Sequence, residues 1–481
     1  MIECLVNNRV CIKGLPDWAK THIRETLSID NPERENAKRQ KIYGWFNIPE
    51  KIELYAQDGD DLLVPRGVLC DLRDYFEHYK IDVDYNTDGV VAVSAQIPPI
   101  RHNLRPHQVV ASQEICDRAV GIYEAPPGSG KTVTALAAIS QVQQRSLIIV
   151  NTTNIASQWA DRCETFLGFR PGIIGDGQWD ESRPITIALN QTLASRIPTL
   201  SEDWFKSWGF VCLDECHHVT AGTFFDVMNA FPARWRIGVS ATPDRDNGLL
   251  GVAYSVLGPV IHKTEKQQLI DDGYLTKPSV VRVQTSFSYN YWSTHYADSS
   301  CSIANCEKSG RHRHQNNYQQ MLSALVEDED RNRLIAERVR KNYDCANLVL
   351  SKRLSHLHSL RNEVMKFGVF DPTRLFMLTG KEDTEERMRV AREAESGQCV
   401  VFSTIADEAL DVPRLDKLYL VWPTKNSAVI RQQVGRIERV HPNKKSATVY
   451  DFVDANVQPL YKQWIKRGID VYAAEGLAIN T

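Results

Sequence analysis

A glycine-rich run at positions 125–132 has the composition of a phosphate-binding loop. It reads Ala-Pro-Pro-Gly-Ser-Gly-Lys-Thr, with alanine at the usual first glycine, and lies between an apolar segment at 121–123 and a helical pattern at 133–139. Glycines let backbone N–H groups close on phosphate oxygens, and the following helix N-terminus adds a favourable dipole. We expect Lys131 to reach the β- and γ-phosphates of a nucleotide and Thr132 to ligate Mg²⁺. The other expected phosphate contacts are Pro127, Gly128, Ser129 and Gly130.

Two adjacent carboxylates follow an apolar strand pattern at 210–213. Asp214 and Glu215 would therefore lie at the carboxyl end of a strand, where open α/β sheets bind ligands. We expect Asp214 to hold Mg²⁺ and Glu215 to orient and deprotonate the attacking water. A solvated acidic strand end is the plainer alternative, but the loop at Lys131 favours the catalytic interpretation.

Side chains that bind metals also surround this acidic pair, namely Cys212, Cys216, His217 and His218. Successive strand positions point to opposite faces of a sheet, so these side chains are not expected to converge. We therefore predict no zinc site at this position.

Two further segments could belong to the same phosphate site, but each is weak evidence when taken alone. Residues 240–243 follow another strand pattern and offer the hydroxyls of Ser240 and Thr242 near the same sheet edge. Residues 432–439 place Arg436 and Arg439 three positions apart, which predicts one helical face suited to phosphates. A solvated basic face is the alternative for the second segment.

The elements around these motifs alternate between apolar runs of strand length and helical patterns. The predicted strands are 146–150, 185–189, 210–213 and 237–240 in a first region, and 347–350, 399–402, 417–421 and 448–452 in a second. Such runs indicate parallel sheets covered on both faces. Short alternating runs before residue 98 indicate a small α+β domain instead. The predicted fold class is α/β, with two parallel-sheet lobes and a small α+β N-terminal domain.

A length of 481 residues fits about three domains. We predict an N-terminal accessory domain at 1–98, lobe 1 at 99–262, lobe 2 at 263–455 with an insertion at about 285–320, and a helical tail at 456–481.

The composition is that of a soluble globular protein, with 42% hydrophobic and 24% charged residues. The net charge of -3 neither supports nor excludes a nucleic-acid partner, because a balanced total can conceal a basic track. No apolar run approaches the roughly 18 residues of a membrane span, and the N-terminus lacks a signal core. The 11 scattered cysteines fit reduced thiols and a cytoplasmic protein.

Taken in order, these segments resemble the motifs of superfamily-two helicases over about residues 100–455. Residues 104–108 resemble the adenine-reading motif, and residues 131–132, 214–217 and 240–242 match motif I, the DExH form of motif II and motif III. Residues 404–413 and 432–439 resemble motifs V and VI. The sequence 236–245 and lobe 2 look closest to XPB-like DNA helicases and UvsW-type recombination helicases of phages. The resemblance implies that both lobes are RecA-like.

The resemblance also implies roles for individual residues. Gln108 would contact adenine, and Asp411 would touch the nucleotide from lobe 2. Arg436 and Arg439 would act as arginine fingers across the lobe interface. Residues implied to couple hydrolysis to movement are Ser240, Thr242 and Gln432. Residues implied to contact nucleic acid are Thr152, Thr153, Gln191, Ser351 and Thr404.

The function implied is an ATP hydrolase that uses Mg²⁺ and translocates on, unwinds or remodels DNA in repair, recombination or replication. Its partner would be single-stranded, duplex or branched DNA, and the protein is expected to act as a monomer in a bacterial or phage-infected cell. An RNA helicase acting on RNA or an RNA–DNA hybrid, and an ATP-switched nucleic-acid-binding protein, stay open as alternatives.

Two clusters of residues outside the motifs each have more than one interpretation. Lys38, Arg39 and Lys41 precede Tyr43 and Trp45, which suits either phosphate binding with base stacking or a solvated loop with core aromatics. The predicted insertion contains Cys301, Cys306, His312 and His314. Their spacing is irregular for zinc, so a zinc site, a basic nucleic-acid loop and an ordinary surface insertion all stay open.

Overall fold

A computed structural model describes residues 2–39, 42–216, 223–241, 250–290, 292–297, 310–315, 318–380, 382, 384–404, 412–444 and 446–480. The chain divides into two compact units, Met1–Gln268 and Leu269–Thr481. The first unit contains the acidic pair and the glycine-rich loop, and the second contains Arg436 and Arg439.

The N-terminal region folds around a five-stranded sheet in the order β5-β6-β2-β1-β7. Its strands are β1 (Ile2–Val6), β2 (Arg9–Lys13), β5 (Ala56–Asp58), β6 (Asp61–Pro65) and β7 (Val83–Asn86). A separate antiparallel pair joins β3 (Ser28–Asp30) and β4 (Lys51–Glu53). The helices are α1 (Asp17–Thr26), α2 (Pro32–Arg39) and α3 (Leu69–His78). Alternate residues of β1 are buried, as expected of a strand with one face on a core. The α+β prediction for this region is confirmed.

The larger sheet of the first unit has the order β11-β10-β12-β9-β13-β14-β8-β15. Its strands are β8 (Val120–Glu124), β9 (Ser146–Val150), β10 (Gly172–Gly175), β11 (Gln178–Trp179), β12 (Ile185–Leu189), β13 (Phe210–Asp214), β14 (Trp235–Ser240) and β15 (Val260–Lys263). The accompanying helices are α4 (Pro106–Arg118), α5 (Lys131–Val142), α6 (Thr153–Leu167), α7 (Asn190–Arg196), α8 (Glu202–Lys206), α9 (Thr223–Ala230), α10 (Leu250–Leu257) and α11 (Lys266–Asp271). Ile149 and Ile148 of β9 enter different hydrophobic clusters, so both faces of the sheet are covered, as predicted.

The N-terminal region packs against the larger sheet through two buried arginines. Arg66 follows β6 and donates to the carbonyl oxygens of Ala233 at 2.5 Å and Arg234 at 3.1 Å. Arg236, in β14, donates to the carbonyl oxygen of Asn8 at 2.9 Å. Burial lowers the pKa of both guanidinium groups. These bonds satisfy backbone carbonyls that the packing removes from water.

The second unit is built on a parallel sheet in the order β20-β21-β19-β22-β23-β16-β24. Its strands are β16 (Ser279–Gln284), β19 (Ala346–Leu350), β20 (Leu375–Leu378), β21 (Cys399–Ser403), β22 (Lys417–Leu420), β23 (Thr448–Val453) and β24 (Ile479–Asn480). Its helices are α12 (Tyr318–Glu327), α13 (Glu329–Lys341), α14 (Leu354–Met365), α15 (Thr384–Ala394), α16 (Ser427–Gly435) and α17 (Gln458–Arg467). The α/β prediction is confirmed for this region also.

Strands occur in two segments where no strand was predicted, the insertion and the C-terminal tail. An antiparallel pair, β17 (Trp292–Ala297) and β18 (Gly310–Gln315), lies within the predicted insertion. The tail predicted to be helical contains α17 and a π-helix at Gly468–Ala473, but it then adds β24 parallel to β16 at the sheet edge. Among the described residues, no helix is long and apolar enough to cross a membrane.

Candidate nucleotide-binding site

The glycine-rich loop joins β8 to α5, as the sequence predicted. Gly128 and Gly130 have φ angles of +80° and +89°, which favour glycine because a side chain is strained there. A Cβ on Gly130 would also lie only 2.2 Å from Gln108 Nε2. Gly130 therefore meets two requirements at once, a left-handed backbone and close approach to α4.

Gln108 is fixed between the start of α4 and this loop. Its Oε1 accepts a hydrogen bond from the Arg105 N–H at 2.9 Å, and its Nε2 donates to the Ser129 carbonyl oxygen at 3.2 Å. His107 Nε2 lies 3.0 Å from the same carbonyl oxygen. The α4 N-terminus thus holds the loop in place, while contact between Gln108 and adenine stays a prediction.

Lys131 begins α5, and its ammonium group lies across the loop. Its Nζ donates to the Ala125 carbonyl oxygen at 3.0 Å. Thr132 follows in the first turn of the helix and is partly exposed. Both side chains therefore lie at the helix N-terminus, where anions bind favourably.

The strand order brings three predicted motifs to one sheet edge. Strand β14 lies between β13 and β8, with Asp214 opposite Val239 and Ser240 opposite Glu124. Directly after β8, the Ala125 N–H donates to the Ser240 carbonyl oxygen at 3.0 Å. Ser240 thus lies between the glycine-rich loop and the acidic pair. Thr242 lies outside the described residues.

Both carboxylate oxygens of Asp214 accept hydrogen bonds. Oδ2 accepts from Trp159 Nε1 at 2.6 Å, and Oδ1 accepts from the Glu215 N–H at 2.9 Å. Burial, aided by the negative charge of Glu215, raises the pKa of Asp214 to about 6, although Trp159 and Lys131 oppose the rise. Trp159 was not among the predicted site residues, since its only signal in the sequence is its place on the apolar face of a helix.

Glu215 has a left-handed backbone conformation with φ of +48°. This is uncommon outside glycine, and such strain often occurs at functional sites. Glu215 lies directly after the end of β13. Cys212 and Cys216 are buried free thiols, and burial raises the pKa of each. His217 and His218 lie outside the described residues.

The arginines of the second unit follow α16, and the prediction of one shared helical face is wrong. The helix ends at Gly435, Arg436 occupies its C-cap, and Arg439 forms an isolated antiparallel bridge with Leu275. Gln432 lies in the last turn and is partly exposed. Asp411 lies outside the described residues.

The predicted nucleic-acid contacts of the first unit follow two neighbouring strands, β9 and β12. Thr152 caps α6 by accepting from the Ile155 N–H at 3.4 Å, and Thr153 is exposed. Gln191 is exposed in α7. Because α6 follows β9, α7 follows β12, and these strands pair in parallel, the three residues lie at one sheet edge.

The two predicted nucleic-acid contacts of the second unit, Ser351 and Thr404, differ in their exposure to solvent. Ser351 is only 3% exposed, and its Oγ lies 3.0 Å from His356 Nδ1. The expectation that this side chain contacts nucleic acid is therefore corrected, because the hydroxyl is buried and already bonded. Thr404 is partly exposed and donates to the Thr379 carbonyl oxygen at 3.0 Å.

No group of histidine, cysteine and acidic side chains suited to a metal ion occurs in the part of the chain that the structure describes. Cys301 and Cys306 lie outside that part. The backbone of β18 contains His312 and His314, but their side chains also lie outside the description.

Comparison with known proteins gives similarities along most of the chain. Residues 101–245 match the family of the res subunit of type III restriction enzymes. The chain is 25% identical to the DNA 3'-5' translocase XPB2 of Sulfurisphaera tokodaii, over 77% of this chain and 85% of that protein. It is 22% identical to the ATP-dependent DNA helicase uvsW of Enterobacteria phage T4, over 70% of this chain and 66% of that protein.

A solved structure gives the same fold. The type ISP restriction-modification enzyme LlaBIII bound to DNA has a TM-score of 0.53 and 13% identity, covering 85% of this chain and 34% of that chain. At this identity the likeness supports the arrangement of helices and strands alone.

Proposed function

We propose that this chain, which belongs to the superfamily-two helicases of the XPB-like and UvsW-like type, is an ATP-dependent motor that translocates on DNA and unwinds or remodels it. The observation that carries the proposal is the strand order β13-β14-β8. It brings the acidic pair, Ser240 and the glycine-rich loop to one edge of the sheet.

The residues at this edge fit Mg²⁺ and a nucleotide triphosphate. Thr132 and Asp214 offer a hydroxyl and a carboxylate, the oxygen ligands that Mg²⁺ prefers. Burial, together with the negative charge of Glu215, raises the pKa of Asp214, and a divalent cation would stabilise the ionised carboxylate. Bound Mg²⁺ would neutralise charge on the transferring phosphoryl group.

The remaining roles are divided between the loop and the acidic pair. Lys131 would exchange its bond to the Ala125 carbonyl oxygen for bonds to the β- and γ-phosphates of a bound nucleotide. Glu215 would orient the attacking water and accept its proton. We assign motif II to the DExH form, because residues 214–217 read Asp-Glu-Cys-His. Arg436, Arg439 and Asp411 keep the roles that the family resemblance implies.

DNA is the proposed partner because the relatives XPB2 and uvsW are named as acting on DNA. Thr152 and Thr153 would contact its backbone at the N-terminus of α6, where N–H groups attract phosphates. Gln191, in α7, and Thr404, directly after β21, would add contacts. The protein is proposed to act as a monomer.

The region around α2 supports an accessory single-strand contact. Tyr43 is 98% exposed and is therefore not a core aromatic, whereas Trp45 is partly buried. Arg34 and Lys38, four positions apart on α2, lie 5.6 Å and 5.5 Å from the Trp45 ring centre. Cations beside a partly exposed ring, with the exposed Tyr43 nearby in the sequence, suit contacts with phosphates and stacked bases.

The experiment that tests this function is ATP hydrolysis measured without nucleic acid and then with single-stranded, duplex and branched DNA and with RNA at fixed salt. We expect DNA to raise the rate, most strongly in its branched form. Stimulation by RNA alone would contradict the DNA assignment. No hydrolysis under any condition would favour an ATP-switched binding protein.

A further inference from the structure

The indole of Trp159 connects helix α6 with the aspartate proposed to hold Mg²⁺. Its Nε1 donates to Asp214 Oδ2 at 2.6 Å, and the residue is 1% exposed. The other carboxylate oxygen accepts from the Glu215 N–H. The orientation of the carboxylate is therefore set from one side by α6 and from the other by the turn after β13.

The same helix carries candidate nucleic-acid contacts at its beginning. Thr152 is its N-cap and Thr153 its first residue, and Trp159 lies about two turns further along. The helix follows β9, which pairs with β13, the strand that ends at Asp214. A displacement of α6 would thus act directly on the bond between Trp159 and Asp214, without an intervening element.

An indole has the right chemistry for this position. A carboxylate buried beside Glu215 needs hydrogen-bond donors to stay ionised. A lysine or arginine would supply them but would also compete with Mg²⁺ for the negative charge. The indole N–H is neutral and donates one bond, so it orients the carboxylate and leaves its charge to the metal.

We propose that Trp159 is a positioning residue through which nucleic acid bound at the N-terminus of α6 sets the orientation of the Asp214 carboxylate for Mg²⁺. This inference rests on the proposed function. It gives a physical route by which DNA stimulates hydrolysis within the first unit, through a residue outside the helicase motifs.

The test compares two tryptophans of the same unit. Trp159→Phe removes the donor but keeps an aromatic ring. Trp208→Phe is the matched control, because Trp208 is fully buried and its Nε1 has no hydrogen-bond partner in the described part of the chain. A third variant carries 3-benzothienylalanine at position 159, which keeps the shape of the indole and replaces its N–H by sulfur. ATP hydrolysis at fixed saturating ATP is measured against Mg²⁺ concentration, with and without single-stranded DNA.

Loss of a hydrogen bond to a charged group predicts changes of about tenfold. For both position-159 variants we expect the Mg²⁺ concentration for half-maximal activity to rise, and the stimulation by DNA to fall, by about that factor. The Trp208→Phe protein should match wild type in both quantities. Should Trp159→Phe fail to fold, the benzothienyl variant still gives the answer.

The inference would be overturned if either position-159 variant showed the same Mg²⁺ dependence of ATP hydrolysis, and the same stimulation by DNA, as the wild-type protein. Equal losses in the Trp208→Phe control would also overturn it. A wild-type protein that DNA does not stimulate would instead overturn the proposed function, so the two failures are distinguishable.

Discussion

Arg66 donates a hydrogen bond from Nη2 to the carbonyl oxygen of Ala233 at a distance of 2.5 Å, and the two residues are 167 positions apart. The same guanidinium group also reaches the carbonyl oxygens of Pro232, Arg234 and Asn7. One side chain from the N-terminal region therefore satisfies several backbone acceptors at the junction with the larger sheet. The N-terminal region is thereby joined to β14, the strand that ends at Ser240.

Replacing this arginine should destabilise the first unit strongly. Arg66→Ala leaves buried carbonyl groups without donors, so we expect a loss of about 2–4 kcal/mol in the free energy of unfolding. Arg170→Ala is the control, because Arg170 is exposed in its ion pairs with Asp161 and Glu164 and should cost at most about 1 kcal/mol. Denaturant unfolding measures both, and equal losses would contradict the role of Arg66.

Gly130→Ala should impair nucleotide hydrolysis beyond its cost in stability. Its φ of +89° strains any side chain, and the new Cβ would displace the Gln108 amide from the loop. Gly177→Ala is matched in conformation, with φ of +76°, but its Cβ would meet nothing within 4 Å. Both variants should lose about 1 kcal/mol of stability, while only Gly130→Ala loses ATPase activity. Equal ATPase rates in the two variants would contradict the loop assignment.

The stability of the second unit should decrease in mild acid because of His356. Its ring is buried between Ser351 and Asn332, and burial together with Arg331 and Arg353 lowers its pKa well below 6.5. The unfolded chain then binds a proton that the folded chain does not, so stability is lost as the pH falls below about 6.5, by up to about 1.4 kcal/mol per pH unit.

Thermal unfolding between pH 7 and pH 5 measures this effect. The dependence should be weaker in His356→Gln and unchanged in His78→Gln, because His78 is exposed. A His356→Gln protein with the wild-type slope would show that another group causes the acid sensitivity.

Glu215→Gln should lower the ATPase rate by at least about 100-fold while ATP still binds, because the amide cannot accept the proton of the attacking water. Glu202→Gln, at an exposed glutamate paired with Lys206, should retain the wild-type rate. Steady-state assays measure the rate of ATP hydrolysis, and fluorescence measures nucleotide binding, so that an effect on hydrolysis is distinguished from an effect on binding. A Glu215→Gln protein with full activity would remove Glu215 from the role of base.

The sequence predicted those features whose signals are local. The loop at Lys131 and the acidic pair after β13 are contiguous motifs, and the central strands are continuous apolar runs. Trp159 was missed because its partner is 55 positions away, and β24 because two residues at a sheet edge give no periodic pattern.

The contacts of Arg66 had no sequence signal either, because the run Pro65-Arg66-Gly67 has the composition of an ordinary turn. Its burial depends on the segment at residues 232–234, just before β14 and far along the chain. Whether a charged side chain binds solvent, a ligand or backbone carbonyls is decided by tertiary packing.

The most direct test of the proposed motor is displacement of a triplex-forming strand from duplex DNA, which requires translocation but no unwinding of the duplex. We predict that the wild-type protein displaces the strand when ATP and Mg²⁺ are present and that Glu215→Gln binds the same DNA without displacing it. Wild-type protein that hydrolyses ATP on this DNA but leaves the triplex intact, or equal displacement without ATP, would contradict the proposed function.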